Sequence, residues 1–156
     1  MDMHKLIIKR FDHKLSTSDT LIGSRDIVDI MNIIGRCVIA GNIRRVAEIA
    51  LGEARDSEFI ELKDYTKNPD RMEYGWVSNN SIYAEIGMDY SEVQASIIKN
   101  GGEPGLCWLE NMRAYGRMIE PPNYRDKLAA GGNPCLEQTL ESNEMCCLVE
   151  TFPMNH

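Results

Sequence analysis

The chain has 156 residues, 43% of them hydrophobic and 26% charged, with a formal net charge of −7. That length supports one domain with a real core, and the acidic balance argues against a nucleic-acid partner, whose phosphates would need clustered Lys and Arg. No apolar run approaches the roughly 20 residues that span a bilayer, and the first ten residues lack the apolar core of a signal peptide, so no membrane partner and a cytoplasmic location are expected.

Residues 1–24 are polar and mixed, with an apolar stretch at 6–8, and predict no clear element. A helix is expected from Ser24, where Ile27, Ile30, Met31 and Ile34 recur at helical spacing and Gly35 falls near the end. Residues 37–40 form a short apolar run that stops at Gly41-Asn42, a pair suited to positive φ. Arg44-Arg45 leads into 46–51, which reads as a buried strand covered on both faces. Residues 56–70 are charged and read as surface. Trp76-Val77 and Ile82-Tyr83 bracket Ser78, Asn79, Asn80 and Ser81, four polar side chains in a row.

Ser91 and Gln94 form a capping-box pattern ahead of Val93, Ile97 and Ile98, which predicts a short helix over 91–100 ended by Gly101-Gly102. Residues 106–109 again read as a buried strand. Pro121-Pro122 forces an extended turn, and Gly131-Gly132 gives a flexible approach to Asn133-Pro134-Cys135. Strand, helix, strand is the rhythm of an α/β protein.

The chemistry concentrates at Asn133, Cys135 and Glu137, with Cys146-Cys147 downstream. In an extended loop alternate side chains project the same way, so these three would share a face. Glu137 would then serve as a general base, Asn133 would hold a substrate hydroxyl, and Cys135 would react. A lone cysteine in a Gly/Pro loop is more often an inert structural thiol. Cys37 and Cys107 sit in apolar runs and read as core, as do Trp76 and Trp108. The five cysteines form no CxxC pair and the histidines, His4, His13 and His156, are scattered, so no metal site is expected.

The run from Asn133 to Glu137 resembles the finger-loop motif of ribonucleotide reductases. The wider chain resembles the monomeric, adenosylcobalamin-dependent triphosphate reductases (class II). The similarity continues through residues 27–32, 40–45, 47–49, 78–81, 102–105 and 108–111 in the family's order. It implies a segment of a ten-stranded α/β barrel, with the specificity-loop region in 25–52, strands and helices in 53–130, and the finger loop and the strand after it in 131–156.

The resemblance also implies a mechanism. A thiyl radical on Cys135 would abstract the 3′ hydrogen of a ribonucleotide, Glu137 would take the 3′-hydroxyl proton as water leaves C2′, and Asn133 would align the substrate. Cys146, eleven positions after Cys135, would be one half of the reducing dithiol, with Cys147 the runner-up and otherwise a buried small hydrophobe. Gly41, Asn42, Arg44 and Arg45 would form the loop that links a deoxynucleotide effector to the substrate base; a solvated charged pair is the competing reading of the arginines. Residues 78–81 would line the substrate pocket or make an ordinary polar turn.

The implied cofactor is adenosylcobalamin, completed by other chains, and the implied partners are further fragments of the same reductase, a nucleotide substrate, its effector and a thioredoxin-like reductant. The upstream partner of Cys146, the C-terminal shuttle cysteines and the substrate-phosphate loop of the family are not in this sequence. The chain is therefore expected to be one piece of a split enzyme, a reading that Met1 favours over a truncated fragment. Two alternatives remain open: a diphosphate reductase with a di-metal radical subunit, and a non-catalytic regulatory protein of reductase descent.

Overall fold

The computed structural model describes residues 3–17, 21–41, 46–116 and 120–147. The chain divides into two compact units, Met1–Trp108 and Leu109–His156, and each is described by itself.

In the first unit, residues that carry no clear pattern form helix α1 (Met3–Ser16). Its less exposed positions, Met3, Leu6, Ile7, Arg10, Phe11 and Lys14, recur at helical spacing. Two of them are cations, which is why the stripe is invisible to an apolar count. Arg10 Nη2 lies 2.8 Å from Asp26 and Arg10 Nε 3.4 Å from Asp29, and Lys14 also pairs with Asp26.

Helix α2 (Ser24–Ala40) starts as the periodicity predicts, but Gly35 does not end it. A Cβ at Gly35 would stand 2.1 Å from Glu48 Oε1 and 2.7 Å from Val77 Cγ1. The glycine permits a close approach within the helix, which runs on through the apolar residues 37–40. Cys37 is consequently half-buried in the last turn and not a core residue.

Strand β1 (Glu48–Glu53) lies two residues later than predicted and is only partly buried, so it is not covered on both faces. It pairs in parallel with β2 (Ser78–Tyr83), and β2 pairs in parallel with β3 (Gly105–Cys107). The sheet order is β1-β2-β3, with helix α4 (Ser91–Lys99) in the β2–β3 crossover. An α/β arrangement is thus present.

The segment 56–70 is not the surface stretch its charge suggests. It contains α3 (Ser57–Ile60), whose first turn is capped by Asp56 Oδ1 accepting from the Phe59 N–H at 3.0 Å. Phe59, Ile60 and Leu62 form the centre of the core with Val28, Ala54, Ile82 and Val93, each contributing about 1.5–3 kcal/mol through burial for the larger side chains.

Helix α4 begins where expected, but its start is held by Asp89, whose Oδ1 accepts from the Ser91 N–H at 2.9 Å, and not by a Ser91/Gln94 box. Gly101 and Gly102 end it with φ of 69° and 113°. Strand β3 is shorter than the predicted 106–109: Leu106 is exposed, Cys107 is buried, and Leu109 opens helix α5 (Leu109–Tyr115). Burial pushes the Cys107 thiol pKa up. Trp108 is half-buried, 6.4 Å from Tyr90 between ring centres. Trp76 is exposed, with Nε1 donating to the Glu73 carbonyl, which corrects its reading as core.

Part of the first unit's interior is polar. Arg71 is fully buried: Nε donates to Asp29 at 2.6 Å, Nη2 to Asn32 Oδ1 at 3.1 Å, and Nη1 to the Leu62 carbonyl. Lys63 donates to the carbonyls of Gly75 and Ser78 at 2.7 and 2.5 Å and pairs with Glu103 at 3.0 Å. Burial lowers the Lys63 pKa, against the opposing pull of Glu103.

The second unit contains helix α5 (Leu109–Tyr115) and a short antiparallel pair, β4 (Gly131–Gly132) with β5 (Thr139–Leu140). Arg113 Nε donates to the Ala129 carbonyl at 3.1 Å, and Thr139 Oγ1 donates to Asp126 at 2.8 Å. Among the described residues no helix is long and apolar enough to cross a membrane.

Candidate active site

The hairpin β4–β5 presents the loop 133–138. Gly131 and Gly132 do not act as a flexible hinge, since both are paired in the ladder. A Cβ at Gly132 would lie 2.6 Å from the Gln138 carbonyl oxygen, so the glycine allows the two sides of the loop to close on each other.

The loop is a tight turn and not an extended segment. The Leu136 N–H donates to the Asn133 carbonyl at 2.8 Å, and Leu136 adopts φ of 60°. The expected two-residue alternation therefore does not order Asn133, Cys135 and Glu137. Hydrogen bonds from Asn133 do that instead: Nδ2 donates to Glu137 Oε1, and Oδ1 accepts from the Gln138 N–H at 3.1 Å. Asn133 is buried, while Cys135 and Glu137 are exposed. The result is an exposed thiol at the turn, with a carboxylate held by an amide that is itself fixed.

Cys146 is exposed, and its thiol donates to Gln138 Oε1 at 3.0 Å. Cys147 is exposed too, which corrects its reading as a buried small hydrophobe; residues 144–147 form neither helix nor strand. Gln138 is the residue that the sequence passes over. It directly follows the motif run, but nothing in its side-chain type marks it out.

A cavity of about 240 Å³ adjoins the loop, lined by Glu137, Gln138, Asp126, Thr139, Glu141 and Glu144 among others. Its walls are rich in carboxylates. No group of three or more His, Cys, Asp or Glu among the described residues is arranged to hold a metal ion.

The remaining candidates lie in the first unit. Ser78, Asn79, Asn80 and Ser81 are in the central strand and do not form a turn. Ser78, Asn80 and Ser81 are buried and Asn79 is exposed. Ser78 Oγ donates to Asn80 Oδ1 at 2.8 Å, and Asn80 N–H donates to Glu103 at 2.8 Å. Gly41 follows α2, while Asn42, Arg44 and Arg45 lie outside the described residues.

The chain is 61% identical over 136 residues to a probable adenosylcobalamin-dependent ribonucleoside-triphosphate reductase of Dictyostelium discoideum, covering 86% of this chain and 18% of that protein. It is 62% identical over 130 residues to an adenosylcobalamin-dependent ribonucleoside-triphosphate reductase of Euglena gracilis, covering 83% of this chain and 18% of the relative. A protein of the same name from Lacticaseibacillus paracasei is 39% identical over 156 residues, covering 99% of this chain and 20% of the relative. The chain thus spans about a fifth of the length of these curated relatives. No family model and no solved structure matches it. By sequence, this chain is similar to one segment of adenosylcobalamin-dependent ribonucleoside-triphosphate reductases.

Proposed function

We propose that this chain supplies the catalytic loop of a ribonucleoside-triphosphate reductase, which converts ribonucleotides to 2′-deoxyribonucleotides, with Cys135 as the reacting thiol. The observation that supports this most is the Asn133–Glu137 hydrogen bond beside the exposed Cys135. An exposed thiol and an exposed base stand on one fixed turn, with the buried Asn133 amide holding the base. In this reading Cys135, after one-electron oxidation to a thiyl radical, takes a hydrogen atom from C3′ of the substrate to become S–H, and the C2′ hydroxyl leaves as water. Glu137 accepts the 3′-hydroxyl proton, and Asn133 both orients Glu137 and offers an amide to the sugar. Cys146 is one half of the dithiol whose oxidation supplies two electrons.

Adenosylcobalamin is the cofactor in the names of the relatives, and we assign it to this enzyme. The loop's own cavity, about 240 Å³ and walled by carboxylates, does not fit a corrin ring. We assign the corrin-binding surface, the one-electron oxidation of Cys135 and the second redox cysteine to parts of the reductase other than these 156 residues. The three-stranded parallel sheet, with β1 and β3 as its edges, suits a share of a larger barrel. Gly41, Asn42, Arg44 and Arg45 are assigned to the effector-linked loop and residues 78–81 to the substrate-facing strand, with a thioredoxin-like protein as final reductant.

The test is nucleotide reduction by the assembled reductase. Incubation with a ribonucleoside triphosphate, adenosylcobalamin and a dithiol yields the deoxynucleotide, without any iron or manganese subunit. Turnover that requires such a subunit, or none under either condition, contradicts the proposal.

A further inference from the structure

Gln138 carries two sets of bonds, one from its backbone and one from its side chain. Its backbone is locked to Asn133 in both directions: the Gln138 N–H donates to Asn133 Oδ1, and its carbonyl accepts from the Asn133 N–H, both at 3.1 Å. It immediately precedes β5, so the hairpin ladder fixes it as well. Its side chain reaches the other way, with Oε1 accepting from the Cys146 thiol at 3.0 Å. Cys146 lies in a stretch with no helix or strand of its own, and this contact ties it to the turn that carries Cys135. The neighbouring Cys147 is also exposed, and no such contact holds it among the described residues.

We propose that Gln138 is a positioning residue of the reductase site, tethering the Cys146 thiol to the Cys135 loop and so selecting Cys146 over Cys147 as the reducing thiol. The inference rests on the reading of Cys135 and Cys146 given above. One residue then couples the hydrogen-abstracting turn to the reductant, because any change that moves Asn133 moves Gln138 and with it the acceptor of the Cys146 hydrogen.

Two measurements test it, with Gln138→Leu removing the acceptor and Gln138→Glu keeping an oxygen in its place. The first is timed alkylation of the reduced chain with iodoacetamide, resolved between the two adjacent cysteines by tandem mass spectrometry. In the wild type and in Gln138→Glu the tethered Cys146 reacts several-fold more slowly than Cys147, and in Gln138→Leu the two rates converge. The second is steady-state kinetics of the assembled reductase. Gln138→Leu lowers kcat by about tenfold with the nucleotide KM within about twofold, and Gln138→Glu restores most of kcat. An unchanged Cys146-to-Cys147 ratio in Gln138→Leu, or a wild-type kcat for that variant, overturns the inference. Cys135→Ser run alongside separates the two levels: if it is inactive while Gln138→Leu behaves as wild type, only the tether fails; if it is active, the reading of the site fails.

Discussion

Asn133 and Gln138 close the turn that carries Cys135 on each other through two hydrogen bonds of 3.1 Å, one from the Asn133 N–H to the Gln138 carbonyl and one from the Gln138 N–H to Asn133 Oδ1. The same Asn133 amide then holds Glu137. Removing this side chain strips the Gln138 N–H of its acceptor and the carboxylate of its donor. Asn133→Ala is expected to lower kcat/KM by about ten- to a hundredfold, the effect of one or two unmade polar contacts. Steady-state kinetics of the assembled reductase measure it.

Gly132 faces the Gln138 carbonyl so closely that a methyl group would stand 2.6 Å from the oxygen. Backbone must move to admit it. Gly132→Ala is therefore expected to open the hairpin and, on the proposed function, to abolish turnover even though no reactive group is altered. Loss of turnover, with Cys135 and Cys146 still reduced and intact by thiol titration, is the expected result.

The buried guanidinium of Arg71 is the best test of the first unit's interior. Arg71→Met keeps the volume but leaves the fully buried Asp29 with only Arg25 at 3.3 Å and Arg10 at 3.4 Å. Breaking one side of a buried ion pair costs about 3–5 kcal/mol. The residual cations place this variant at the lower end, about 3 kcal/mol by urea denaturation. Combined with Asp29→Asn, the loss should be less than the sum of the two single variants, as groups in one network do not add.

Asp26 sets an acid limit on the same region. Burial alone would raise its pKa, but the Lys14 hydrogen bond, the Gly23 N–H and Arg10 outweigh that and hold it below 3.8. A carboxylate with a depressed folded value contributes its full stability above the unfolded value. That stability is lost as pH falls from about 4 through the folded value. Denaturation midpoints between about pH 5 and 2 should therefore decline more steeply for the wild type than for Asp26→Asn.

Much of the frame was legible because it rests on short-range periodicity. The α2 stripe follows from spacing, and α4 from its apolar positions and paired glycines, although the Ser91/Gln94 box expected to start it is not what caps it. What escaped was contact across long separations. The apolar centre at Phe59, Ile60 and Leu62 hides in a charged segment whose Lys63, Asp64 and Asn68 are buried as well. Arg71 finds Asp29 and Asn32 about forty residues away, a pairing no local pattern encodes. Gly35 and Gly132 read as a stop and a hinge, yet both serve close approach. At the site, the residue types of Asn133, Cys135 and Glu137 were legible as a group, but their arrangement was not. A left-handed Leu136 replaces the two-residue alternation with a turn, and Gln138 owes its place to that turn.

The central claim is that Cys135 is the reacting thiol, and its replacement tests that most directly. Cys135→Ser in the assembled reductase retains the turn and its hydrogen bonds but exchanges sulfur for an oxygen that cannot take its place in hydrogen abstraction. Deoxynucleotide formation is predicted to fall by about a thousandfold or more, with nucleotide binding retained. Deoxynucleotide production by Cys135→Ser at the wild-type rate would contradict the account.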